Sequence, residues 1–90
     1  MGDDALAGAE ATERSLREQL SDLVRARARA DSESGRLSER AALPGAAAQI
    51  AQIAGRYEQQ SATLATEIET LRASLRAAEA ELERLRAGGV

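Results

Sequence analysis

Arg25, Arg27 and Arg29 alternate with alanines and form the one basic cluster of this sequence. Clustered arginines can neutralise nucleic-acid phosphates, so this cluster is the first candidate for a binding site. Against this, Glu18 and Asp22 lie nearby, and the chain has no Phe or Trp on which bases could stack. We therefore interpret the cluster as a solvated helix surface, and nucleic acid is the least favoured partner.

Glu79, Glu81 and Glu83 form an acidic cluster near the C-terminus. A hard divalent cation needs several convergent oxygen ligands, whereas residues two apart on a helix point to different sides. Nearby arginines at i,i+3 spacing are better partners for these carboxylates. We predict no metal site.

Catalysis has few candidate residues. The chain contains no histidine and no cysteine, and its seven glycines are scattered. Neither a nucleophile–base pair nor a glycine-rich phosphate loop can be assembled from this set. We therefore predict a protein that is not an enzyme and binds no cofactor.

The composition is typical of long helices. The 90 residues allow one small domain, and much of the 43% hydrophobic content is alanine, which favours helix but buries little area. Such a chain cannot build a thick core alone, and its Ala/Glu/Leu/Arg-rich make-up is typical of coiled coils. All its basic residues are arginine, which indicates a GC-rich bacterial or phage genome. No apolar run reaches membrane length and no signal-peptide pattern is present, so we expect a soluble cytoplasmic protein or part of a cytoplasmically assembled particle.

The only proline, Pro44, lies near the middle of the chain and is followed by Gly45. Proline disfavours α geometry in the preceding residue, and Pro-Gly is a strong turn dipeptide. These properties predict a helical hairpin that spans residues 1–90. Its first arm covers about 3–42, the bend covers 43–46, the second arm covers about 46–87, and 88–90 form a short tail.

Both arms carry apolar residues at heptad spacing, which predicts one helix–helix seam. In the first arm the weak point is Asp31–Gly35, which either breaks the helix or is a strained part of one helix. The heptad phase on both sides favours the continuous helix. In the second arm the spacing slips between Tyr57 and Ile68, which predicts an eleven-residue stutter. The predicted seam residues are Leu6, Leu16, Leu20, Leu23, Leu37, Ile50, Ile53, Tyr57, Leu64, Ile68, Leu71, Leu75, Leu82 and Leu85.

Folding the arms about Pro44 pairs residues that lie equally far from the bend. Arg27 then occupies a seam position opposite Glu58 or Gln60. A polar residue at such a position can specify register at some cost in stability. We predict a polar register layer made by Arg27 and Glu58.

The bend is also unusual as a surface, because residues 41–54 contain no charged side chain. Loop tips are normally exposed and polar, so an apolar tip is a candidate docking site. The alternative is that these residues only close the seam. The candidate docking tip consists of Leu43, Pro44, Ala47 and Ile50.

The sequence therefore predicts an all-α, two-helix antiparallel hairpin or coiled coil, completed by oligomerisation or by a helical partner. The predicted function is structural or adaptor association, with copies of itself or with another helical protein. A second hypothesis is a chaperone-like module that shields an amphipathic helix of a client. In size and two-helix layout the chain is similar to small type III export chaperones and needle subunits, a likeness of shape without a shared motif.

Overall fold

The computed structural model describes residues 2–88, with side chains from Asp4 onward. It consists of two α-helices, α1 (Gly2–Ala41) and α2 (Ala48–Gly88), of 40 and 41 residues. The fold is the predicted all-α hairpin. Of the predicted tail, Gly88 ends α2, whereas Gly89 and Val90 lie outside the described residues.

The connection is built around a type II β-turn at Leu43–Ala46. The Ala46 amide donates to the Leu43 carbonyl over 3.2 Å, and Gly45 has a φ of 82°. Pro44 supplies the restricted φ of the second turn position, and glycine supplies the positive φ of the third. The first bond of α2 runs from the Ile50 amide to the Ala47 carbonyl over 3.0 Å. The second helix therefore begins at Ala48, two residues later than predicted, because Ala46 still belongs to the turn.

The two helices run antiparallel along their length and form a rod of 69 × 14 × 13 Å. The Ser34 hydroxyl donates to the Ala54 carbonyl over 3.3 Å. These two residues lie equally far from Pro44, so this contact has the register that folding about the proline predicts. The length of the rod follows from the rise of about 1.5 Å per helical residue.

The stretch Asp31–Gly35 lies inside α1, which is continuous from Gly2 to Ala41. Of the two interpretations that the sequence left open, the structure has the continuous helix. Ala30, just before the stretch, is buried, and Ser34 is bonded to the opposite helix. These tertiary contacts outweigh the modest intrinsic preference of serine, aspartate and glycine for other conformations.

The stutter predicted in α2 is wrong. The buried residues of this helix are Ala54, Ser61, Ile68 and Leu82. Together with the half-buried Leu75 they recur at every seventh position, which is an uninterrupted heptad. The apparent slip arose because small residues, Ala54 and Ser61, occupy the seam positions where larger apolar side chains were expected.

Candidate interaction surface

The seam is only partly covered within the hairpin. Ile68 and Leu82 are each 2% exposed, whereas Ile53 is 41% exposed and lies outside the seam. Ala54, one residue further along, takes the seam position. The other predicted seam residues are half-buried: Leu6, Leu16, Leu20, Leu23, Leu37, Ile50, Tyr57, Leu64, Leu71, Leu75 and Leu85. A single partner helix covers one side of each of these side chains and leaves the other side at the surface.

The polar contact between the helices is not the one predicted. Arg27 is exposed and its Nε lies 3.9 Å from Asp31 Oδ2 on the same helix, while Glu58 is also exposed. Instead, the Ser61 hydroxyl donates to the Asp31 carboxylate across the seam. The small Ser61 side chain, 7% exposed, leaves room for Asp31 to reach α2. The long arginine side chain places its charge in water, which avoids the cost of desolvation.

Neither Ser34 nor Ser61 was among the predicted seam residues. Both occupy heptad positions, and both donate a hydrogen bond to the opposite helix. The signal that could have identified them is the heptad phase itself, continued through serine. A search for large apolar side chains passes over these positions because a hydroxyl contributes little apolar area.

One lateral side of the hairpin carries a row of grooves. The largest, of about 520 Å³, is lined by residues that include Leu23, Glu67 and Leu71. Two further grooves towards the bend are lined in part by Arg29 and by Arg56, and they share Tyr57 and Gln60. We call this side the groove face. Its members are Gln19, Asp22, Leu23, Ala26, Arg29, Ala30, Glu33, Ile53, Arg56, Tyr57, Gln60, Thr66, Glu67, Thr70 and Leu71.

Ion pairs along the surface are local to each helix. Arg25 pairs with Asp22 at 2.6 Å, so one member of the basic cluster is neutralised by a neighbouring carboxylate. In the acidic cluster, the hydrogen bond from Arg84 lowers the pKa of the Glu81 carboxyl below its ordinary value. Likewise, the hydrogen bond to Glu33 raises the pKa of Arg36. These pairs are exposed and contribute little to stability.

Three charged residues of the groove face differ from this pattern. Arg29, Arg56 and Glu67 make no ion pair with any residue in the described part of the chain. All three are exposed. Glu67 borders the largest groove, and the two arginines border the grooves nearer to the bend. The groove face therefore carries free negative and free positive charge at different positions along its length.

The candidate docking tip is exposed at three of its four residues. Leu43 is 63% exposed, Pro44 and Ala47 are exposed, and Ile50 is half-buried. An exposed leucine beside a proline gives the bend an apolar surface.

Two further findings concern the described residues alone. Within residues 2–88, no three acidic side chains converge in a way that suits a metal ion. Neither described helix combines the length and the apolar character needed to span a bilayer. Comparison of the chain with protein-family models, with curated proteins and with solved structures found no match.

Proposed function

We propose that this chain is a non-enzymatic structural or adaptor protein that acts by helix–helix association within an assembly. The observation that supports this most directly is the half-buried state of its seam leucines. An amphipathic helix gains most stability when its apolar stripe is fully covered, and a hairpin of two helices provides half of that cover. A further pair of helices packed against the hairpin would cover the rest of each apolar stripe.

The surface area of the chain supports the same proposal. Its solvent-accessible surface is 6451 Å². A compact monomer of 9.5 kDa is expected to expose about 5,000 Å² by the usual scaling with mass. The excess of roughly 1,400 Å² exceeds the roughly 800 Å² that each partner buries in an interface of standard size. The hairpin thus has enough additional surface for one such interface.

The rod shape suits a spacer. Two continuous helices hold the ends of the hairpin 69 Å apart along its long axis. Because each helix is supported by the other over its whole length, the distance between the ends would vary little. In an assembly, the hairpin would therefore set a separation between the components bound at its two ends.

A second candidate function is the shielding of a client's amphipathic helix. The groove of about 520 Å³ beside Leu23 and Leu71 favours it, since such a groove accepts apolar side chains from an added helix. The two functions use the same surface and differ in the occupant. A self-associating strut fills the groove with a copy of itself, whereas a chaperone keeps it free for the client.

Molar mass measured by light scattering separates these functions. The purified chain should have at least twice the monomer mass of 9.5 kDa at micromolar concentration if it is a self-associating strut. A chaperone should be monomeric when free and should be isolated from its native source with a helical client. A monomer that is isolated without any helical partner would contradict association as the function.

The docking tip is tested with a matched pair of variants. If the tip is a contact surface, Leu43→Gln with Ala47→Glu should weaken association, because the new polar groups would be buried without partners. Circular dichroism should show unchanged helicity, since both residues lie outside the seam. As a control, Val24→Gln with Ala28→Glu changes an exposed apolar residue and an exposed alanine, four residues apart as in the tip variant, near the middle of the first arm. Equal association of both variants would leave the tip as a turn only.

A further inference from the structure

We propose that the groove face binds the groove face of a second copy of this chain in antiparallel orientation, forming a two-fold symmetric four-helix bundle. This inference rests on the proposed function, association through helices, and adds the partner and its orientation. It is supported by the positions of the free charges, by the apolar residues between them and by the exposed area.

The free charges lie on one face because of their spacing. Arg56 and Glu67 are eleven residues apart on α2, and Arg29 lies seven residues after Asp22, which borders the same groove as Glu67. Separations of seven and eleven residues are close to whole numbers of helical turns, so such residues lie on nearly the same side of a helix. The acidic end of the face, with Glu67, is therefore displaced from the basic end, with Arg29 and Arg56, by about two to three helical turns along the rod.

Orientation follows from this displacement. In a parallel pair, the two-fold axis runs along the rod, so α1 of each copy packs against α2 of the other; Glu67 would meet Asp22 and Arg56 would meet Arg29, so that like charges repel. In an antiparallel pair, the two-fold axis runs across the rod, so each helix packs against the same helix of the other copy and Glu67 of each copy meets Arg56 of the other. The favourable contact then occurs twice, once on each side of the axis.

The net charge of the whole chain changes along the rod in the same direction as the free charges of the groove face. Residues 1–22 and 66–90, remote from the bend, contain eleven acidic and six basic residues. Residues 23–65, around the bend, contain four acidic and six basic residues. The two halves thus have net charges of −5 and +2, which add to the −3 of the chain. Antiparallel pairing places each negative half beside a positive half, and complementary fields favour that encounter.

Apolar residues on the groove face fit the same arrangement. Ile53 is 41% exposed and Tyr57 is half-buried near the basic end. Leu23 and Leu71 line the groove near the acidic end. The antiparallel axis that joins Glu67 to Arg56 also brings Ile53 and Tyr57 towards this groove in the partner. The excess surface of roughly 1,400 Å² is sufficient for an interface that buries about 800 Å² per copy.

Charge reversal at the paired positions tests the contact. Arg56→Glu and Glu67→Arg should each raise the dimer dissociation constant about ten-fold, since each reverses a contact that occurs twice. An equimolar mixture of the two variants should recover the parent affinity, because every contact is then again between opposite charges. The affinities are measured by sedimentation equilibrium, with helicity followed by circular dichroism.

Arg76→Glu and Glu83→Arg are the matched controls. These residues are seven apart on α2, and Glu83 lines a groove with Arg17 on the other side of the hairpin. The two control substitutions change the net charge by the same amounts as the groove-face substitutions, and both lie outside the groove face. Their dissociation constants should stay within about two-fold of the parent, since exposed charges outside an interface interact weakly. Equal effects of the control and groove-face variants would overturn the proposal.

Orientation is measured independently with one spin label per chain. The sequence contains no cysteine, so Gln49→Cys provides a single labelling site at an exposed position near the bend. Antiparallel pairing separates the two labels by roughly 40 Å, because the bends lie at opposite ends of the overlap. Parallel pairing would place them within about 20 Å, twice the usual helix spacing. A short distance, or a parent protein that stays monomeric at millimolar concentration, would overturn the inference. In the monomeric case, isolation with a helical partner would still support the proposed function, and isolation without one would contradict both.

Discussion

The two halves of the hairpin share one heptad pattern but fill it with side chains of different size. Around the bend, the buried positions hold Ala30, Ala54 and Ser61. Remote from the bend, they hold Ile68 and Leu82. The difference shows that one seam can be closed in two ways. Small residues allow hydrogen bonds between the helices, while the large residues Ile68 and Leu82 close the seam by apolar contact.

The hydrogen bonds between the two helices are distributed according to this difference in side-chain size. Among the described residues, two side-chain hydrogen bonds cross between α1 and α2, and both lie in the half near the bend, at Ser34 and at Ser61. The half remote from the bend is held by apolar contact, in which area removed from water stabilises the pair at roughly 25 cal/mol per Å². Substitutions that change side-chain size should therefore act differently in the two halves.

Leu82→Ala should have the largest effect on the free energy of unfolding, about 3 kcal/mol, because it removes a buried leucine and leaves a cavity. The matched control is Leu85→Ala, a half-buried seam residue one turn away, for which about half of that loss is expected. Urea unfolding followed by circular dichroism measures both values, at one protein concentration because association stabilises the folded chain. Equal losses would mean that the remote half is not organised around Leu82.

Ala54→Leu should destabilise the hairpin by about 2 kcal/mol. Ala54 is 5% exposed between the helices, so a larger side chain must push them apart or leave its rotamer. The exposed Ala51→Leu, one turn earlier on the same helix, should change stability by less than about 0.5 kcal/mol. The same unfolding measurement distinguishes them. If Ala54→Leu stabilised the protein instead, the half near the bend would contain unfilled space rather than close packing.

Ser61→Ala should cost about 1 kcal/mol, the usual net contribution of one hydrogen bond. Asp31→Ala should cost a similar amount, and the double variant should cost no more than either single variant, because both remove the same bond. A double-mutant cycle by urea unfolding measures this coupling. Strict additivity of the two losses would show that the contact between Asp31 and Ser61 contributes nothing to stability.

Gly35→Ala should have the smallest effect and the opposite sign, a stabilisation of about 0.5–1 kcal/mol. Gly35 lies inside α1, and a Cβ added there would meet nothing within 4 Å. Alanine restricts the unfolded chain and favours the helix, so the gain requires no new contact. The melting temperature should rise by a few degrees. A fall would indicate that the Asp31–Gly35 stretch needs the freedom of glycine.

Much of the fold could be predicted because its determinants are local. Pro44 and Gly45 specify a turn through their own backbone preferences, and the heptad spacing of leucines specifies a helix with one apolar stripe. These features need no knowledge of what lies opposite. The predicted hairpin, its bend at Leu43–Ala46 and its antiparallel course were all accessible in this way.

The seam near the bend could not be predicted from the spacing of large apolar residues. Ile53 is the larger side chain, yet Ala54 is buried in its place. Likewise, Arg27 holds a heptad position, while Asp31 makes the contact with α2. Which residues are buried and which make polar contacts depends on the distance between the two helices. Both helices together set this distance.

By itself, then, the sequence determined where the chain turns, that its arms are helical and that their apolar stripes face each other. Only the tertiary structure decided which residues of each stripe are buried and which polar groups cross the seam. The physical reason is that turn and helix preferences act between neighbours in the chain. Burial and hydrogen bonding at Ala54, Ser61 and Asp31 depend on the space left by the opposite helix.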